Sequence, residues 1–139
     1  MQNYLLQDIK VGLKHTFEVE ISESHLQKFL DISGDINPMH LDAAYAKSKG
    51  MKDRLVYGML TSAFYSTLVG VYIPGKHALL QSIDIAFIKP VFIGDKLFIE
   101  GVVFSVNEFF HQIEVKASIW NQNSEKISRA KIKIGLLNE

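Results

Sequence analysis

Between Leu55 and Ile73 the chain runs for 19 residues without a charged side chain (LVYGMLTSAFYSTLVGVYI), and any fold must find a place for that segment. An uncharged run of about 18 residues or more is long enough to cross a bilayer as a helix. Its make-up argues against this. Gly58, Thr61, Ser62, Ser66, Thr67 and Gly70 dilute the apolar content, Tyr57, Tyr65 and Tyr72 carry hydroxyls, and neither a second span nor a polybasic flank accompanies it. The other environment that accepts such a helix is the inside of a water-soluble domain, buried on nearly all sides. The 139 residues supply enough chain to bury it, because a chain of this size removes roughly 68% of its unfolded surface from water.

The material to wrap the helix lies mostly downstream. After residue 78 the hydrophobic pattern changes to period two, as strands with a buried face require. Ile83, Ile85 and Phe87 share a face. Phe98, Val102, Phe104 and Val106 share another, opposite Leu97, Ile99 and Val103. Ile113, Val115, Ala117 and Ile119 alternate with polar residues, as do Ala130, Ile132, Ile134 and Leu136. Lys89-Pro90, Gly94-Asp95, Asn107-Glu108 and 121–124 have turn compositions, so four strands are expected as an antiparallel meander. Upstream, 14–21 reads as one more strand. Ser22 caps a helix with Leu26, Phe29 and Leu30 on one face and Gly34 at its end, and a second short helix covers 42–49. The sum is an α+β domain spanning 1–139, in which a curved antiparallel sheet wraps one long central helix. This is the hot-dog architecture, with a generic two-layer sandwich as the alternative.

Charge and cysteine content narrow the chemistry. Fifteen basic and fifteen acidic side chains give a formal net charge of zero, without the clustered positive charge that nucleic-acid phosphates require. With no cysteine, there is no disulfide, thiolate nucleophile or Cys-based metal site. The N-terminal residues lack the positive region and apolar run of a secretion signal. A soluble cytoplasmic protein is expected, with no membrane and no nucleic-acid partner.

The densest polar cluster is Asp31-Ile-Ser-Gly-Asp35-Ile-Asn37-Pro-Met-His40-Leu-Asp42, between the two short helices. Asp35 and His40 lie five positions apart across a turn stiffened by proline. A carboxylate and an imidazole sharing one water form a general acid–base pair. Asn37 then orients the water or braces the loop. The alternative is that Asp35 and Asn37 serve only turn hydrogen bonds and that His40 sits on the surface or acts as a second cap. No further ligands accompany these residues, so a metal site is not expected.

Ser33-Gly-Asp35-Ile-Asn37-Pro-Met-His40, followed by Leu41-Asp42 and Ala44, resembles the hydratase motif of the MaoC-like, (R)-specific enoyl-CoA hydratase family. Tyr57-Gly58-Met59-Leu60, Ile73-Pro74-Gly75, Phe87 and Pro90-Val-Phe-Ile-Gly-Asp95 follow in the order of that family's later landmarks. The resemblance implies a hot-dog homodimer that adds water reversibly to trans-2-enoyl thioesters, giving (R)-3-hydroxyacyl thioesters. The carrier would be coenzyme A or an acyl carrier protein, and no cofactor is implied beyond coenzyme A as part of the substrate. Asp35 and His40 match the catalytic pair. The Gly58 N–H matches the donor to the thioester oxygen, and Asn37, Tyr57, Met59, Ser66 and Val69 match substrate-contacting positions. Lys52, Arg54, Lys89 and Lys96 are candidates for the coenzyme A phosphates. Two departures stand out: Tyr57 replaces a common histidine, and Asp84 falls in a strand where many relatives carry Gln-Ser. A hot-dog thioesterase and a non-catalytic acyl-thioester-binding module are the competing functions. The uncharged helix lacks the carboxylate that the former usually places there.

Overall fold

A computed structural model of the chain describes residues 1–137. Five antiparallel strands, β1 (Lys14–Glu20), β2 (Ala78–Phe87), β3 (Lys96–Asn107), β4 (Gln112–Trp120) and β5 (Lys126–Leu136), form one sheet in the order β1-β3-β4-β5-β2. The sheet wraps a central helix, α4 (Gly58–Thr67), which runs on into a π-helical turn, Leu68–Tyr72. The uncharged segment therefore lies inside the sheet. Tyr65, Leu68 and Val69 are buried with Ile99, Val103, Ile119, Ile132 and Ile134 in a single core.

Two expectations about the strands require correction. The meander is confined to β3, β4 and β5, while β2 pairs with β5 and not with β3. Residues 88–95 instead carry the chain past the start of the helix to β3, next to the far edge strand β1. There the Val56 N–H donates to Val91 O and the Ile21 N–H to Asp95 O. Val106 is also on the opposite face from the one expected. A bulge between Val103 and Ser105 changes the register, so Val106 pairs with Ile113 and packs against the core, whereas Phe98 and Phe104 face outward.

Helix burial is less complete than the absence of charge suggests. Met59 (62% exposed), Ala63 and Ser66 form an open stripe along α4. Beside it runs the edge strand β2, whose core-facing Leu80, Ile83 and Phe87 are also exposed. No helix among the described residues is long and apolar enough to cross a membrane.

The upstream elements build a lobe over the start of α4. Helix α1 (Glu23–Ser33) is capped by the Ser22 hydroxyl and closed by Gly34, whose φ of 69° suits glycine. Helix α3 (Ala43–Ser48) is capped by Asp42. Between them the sequence read as a loop contains a further short helix, α2 (Pro38–Leu41), with proline in its first turn. His40 is thus held on a helical turn.

Candidate active site

The segment from Gly34 to Leu41 is shaped by its own side chains. The Ser33 hydroxyl donates to Phe29 O and accepts from the Asp35 N–H (3.2 Å). Asp35 Oδ1 accepts from the Asn37 N–H (3.0 Å), and Asn37 Oδ1 accepts from the Met39 N–H (2.9 Å), capping α2. These are the turn and capping bonds that Asp and Asn make in such sequences. Asn37 braces the loop and does not line the cavity described below.

His40 is anchored from the other side. Its Nδ1 lies 2.8 Å from Leu55 O. A carbonyl oxygen only accepts, so Nδ1 carries the proton and Nε2 is left facing the site. One face of the ring stacks on Tyr57, with centroids 4.1 Å apart. Arg54 approaches the His40 carbonyl and pairs with Glu23, tying α2 to α1.

Asp35 and His40 line one cavity of about 380 Å³, together with Phe29, Ser33, Tyr57, Gly58, Met59 and Phe87. Among the described residues, Asp35 Oδ2 and His40 Nε2 have no protein hydrogen-bond partner. At the same wall α4 begins. Its N-cap is Tyr57, whose side chain makes no capping bond. The Leu60 and Thr61 N–H groups reach Tyr57 O, whereas helical geometry gives the Gly58 N–H no intrahelical acceptor. The cavity therefore meets a carboxylate oxygen, an imidazole nitrogen and an uncapped N–H at the positive end of a helix. That set can activate a water and hold an oxyanion beside it.

At Gly58 a side chain would press on the Phe87 ring. A Cβ there would stand 2.9 Å from Phe87 Cε1. The Phe87 ring, with His40 and Gly58, also borders a second cavity of about 330 Å³, lined by Met51, Leu55, Val56, Val91 and Ile127. Lys89 lies at the border of that cavity and of a small polar pocket containing Lys52.

Other expected residues fall elsewhere. Ser66 is exposed on the open stripe, Val69 is in the core, and neither lines these cavities. Ser62 is buried, its hydroxyl donating to Gly58 O. Asp84 points away from the site, on the outer face of the sheet opposite Lys131. Three of the four candidate phosphate contacts are in ion pairs: Arg54 with Glu23, Lys89 with Glu125 and Lys96 with Glu18. Lys52 lies over the Phe92 ring. The sequence reading did not find Phe29, Phe87 or Leu55 O as parts of the site. Phe29 and Phe87 look like ordinary core positions in the pattern, and a backbone carbonyl carries no residue signal at all.

A sheet curved around one helix, with Asp35 and His40 in one cavity over the start of that helix, defines a hot-dog domain of the hydratase type. The chain belongs to the MaoC-like domain family, whose model matches residues 6–123. The (R)-specific enoyl-CoA hydratase of Aeromonas caviae is 32% identical over 102 residues, covering 73% of this chain and 76% of that protein. The enzyme of the same name from Rhodospirillum rubrum is 36% identical over 92 residues, covering 66% and 64%. The unliganded R-hydratase of Pseudomonas aeruginosa superposes with a TM-score of 0.92 at 31% identity, covering 99% of this chain and 88% of that one.

Proposed function

We propose that this protein adds water reversibly to trans-2-enoyl thioesters to give (R)-3-hydroxyacyl thioesters. Coenzyme A is the favoured carrier and acyl carrier protein the second. The observation that carries the reading is the shared cavity, in which Asp35 Oδ2, His40 Nε2 and the Gly58 N–H have no hydrogen-bond partner among the described residues. Similarity to hydratases of that specificity supports it.

In this mechanism one water lies between Asp35 Oδ2 and His40 Nε2. The pair removes one of its protons as its oxygen attacks C3. The electron pair of the C2–C3 double bond moves toward the thioester carbonyl, and the Gly58 N–H stabilises the resulting enolate oxygen. Such a donor is worth about 3–4 kcal/mol in comparable sites. The pair returns the proton to C2 on the same face, and the water's other hydrogen stays on the new hydroxyl. Atoms and charge balance without a resident cofactor or metal.

The acyl group and the thiol arm occupy the two cavities that meet at His40, Gly58 and Phe87. A homodimer in the cytoplasm completes the reading. The unpaired edge of β2 and the open stripe of α4 support the dimer.

The test follows the enoyl absorbance of crotonyl-CoA and longer homologues. Turnover is expected, and Asp35→Asn and His40→Ala should each lower kcat by about 10²–10⁴-fold with unchanged circular dichroism. An inactive wild type on both carriers overturns the reading. Thiol release without hydration would point to a thioesterase, and tight binding without turnover to a binding module.

A further inference from the structure

We propose that Tyr57 is a positioning residue that holds Asp35 and His40 in register, using its hydroxyl for one and its ring for the other. The proposal rests on the hydration reading and concerns a residue whose side chain would otherwise be counted as a substrate contact. Tyr57 is 1% exposed, so its place is fixed by packing. Its hydroxyl donates to the Asp35 carbonyl oxygen at 2.8 Å. With its single proton committed there, it has none to offer a thioester.

The ring is equally occupied. It lies between Phe29, at a centroid distance of 4.7 Å, and His40, at 4.1 Å with planes 30° apart. The backbone of Tyr57 is the N-cap of α4, so the same residue sets the direction of the Gly58 N–H. Three reacting groups thus converge on one side chain and its main chain. The Asp35 loop is exposed, and local bonds link it to His40 through Asn37, whose N–H donates to Asp35 Oδ1 and whose carbonyl accepts from the His40 N–H; these lie within one short stretch of chain and do not anchor it to α4. The hydroxyl of Tyr57 supplies that long-range tie, across 22 residues of sequence. It stays protonated well into alkaline solution, because burial and the nearby Asp35 charge raise its pKa against the opposing pull of Arg54.

Displacing a catalytic group by about 1 Å can cost about 10²-fold in rate. Tyr57→Phe keeps the stack and loses the tie, and Tyr57→Leu loses both. For enoyl-CoA hydration, kcat is expected to fall about 10-fold in the first and about 100-fold in the second. KM, and the Kd of unreactive butyryl-CoA, should stay within about threefold, since uniform substrate binding is untouched. Independently of turnover, long-range ¹H–¹⁵N spectra of His40 should show the Nδ1–H form in wild type and a mixture of tautomers in Tyr57→Leu, with melting curves confirming that both variants fold.

Full kcat in Tyr57→Phe overturns the hydroxyl's role. A raised Kd with unchanged kcat assigns Tyr57 to substrate binding instead. An unaltered His40 spectrum in Tyr57→Leu overturns the ring's role. If wild type does not hydrate any enoyl thioester, the hydration reading fails, and the His40 spectrum still decides whether Tyr57 positions the imidazole.

Discussion

Gly58 shows how narrowly one atom separates a working site from a folded but blocked one. As the first residue of α4 it needs no unusual backbone angle, so alanine would suit the helix. The obstacle is the Phe87 ring, 2.9 Å from where the new Cβ would stand. Phe87 is 54% exposed, so its ring can move aside. The fold should therefore tolerate Gly58→Ala with a melting temperature within a few degrees of wild type, while kcat/KM falls by about 10-fold or more as the ring is pushed into the cavity. Adding Phe87→Ala should restore part of the lost activity if the clash is the cause. No restoration would mean that the N–H direction was altered instead. At this scale the sequence was informative where the chemistry is local. Asp35 and His40 are five positions apart, and their shared turn could be read from Gly34, Asn37 and Pro38. Asn37 was open between two roles, and the structure adds that its Oδ1 accepts from the Met39 N–H, a bond that the sequence alone did not single out. The partners of Tyr57 were not legible, because Asp35 O is remote in sequence and carbonyl oxygens look alike in every residue.

At the level of elements, the strands could be read from alternation but their neighbours could not. Period two at Ile83, Ile85 and Phe87 states that a strand with one apolar face lies there; it is silent on whether that strand joins β3 or β5. Residues 88–95 decide this, by pairing Val91 with Val56 and closing on Ile21. The bulge in β3 was equally hidden, since a single extra residue reverses the face of Val106 without changing composition. The helix–sheet joint is more predictable in its energetics. Gly101 on β3 lies under Leu68, and a Cβ there would come 2.6 Å from Leu68 Cδ2. Gly101→Val should cost about 1–3 kcal/mol by overpacking, measurable by urea denaturation. Farther along α4, the fully buried Tyr65 shares a 2.7 Å hydrogen bond with Ser128 on β5, and burial pushes its phenol up to about 12. The raised value means that folding favours the neutral phenol. Its contribution is fully present below the unfolded value near 10 and is lost as pH rises toward 12. The loss is about 2 kcal/mol. Tyr65→Phe, which cannot ionise, should lose correspondingly less stability between pH 10 and pH 12. Equal slopes for the two proteins would show that Tyr65 does not govern this alkaline limb.

For the whole molecule, the neutral charge and the long apolar helix bear on the same question of what the single chain leaves uncovered. A zero net charge does not keep copies apart. One side of α4 presents Met59, Ala63 and Ser66 to solvent, and the adjacent core face of β2 presents Leu80, Ile83 and Phe87. These surfaces are contiguous with the cavity that holds Asp35 and His40 through Met59 and Phe87. A second copy that extended the sheet along β2 would satisfy the open edge and lay its own helix against the small residues of the stripe. A stable interface of this kind removes about 800 Å² from each partner. Ala63 provides the test, because it is exposed on the stripe, lines neither cavity and carries no part of the fold's core. Ala63→Arg would place an unpaired charge at the centre of the contact. Sedimentation equilibrium is expected to give a dimer for wild type and a monomer for the variant, with circular dichroism unchanged. Hydratase activity should fall with the loss of dimer, since Phe87 and Met59 would then face water instead of a closed acyl site. A monomeric wild type at micromolar concentration, or an Ala63→Arg variant of undiminished mass, would place the second copy elsewhere on the molecule. A monomeric variant with full activity would mean that one chain holds the whole catalytic site and that the dimer serves only to cover its apolar edge.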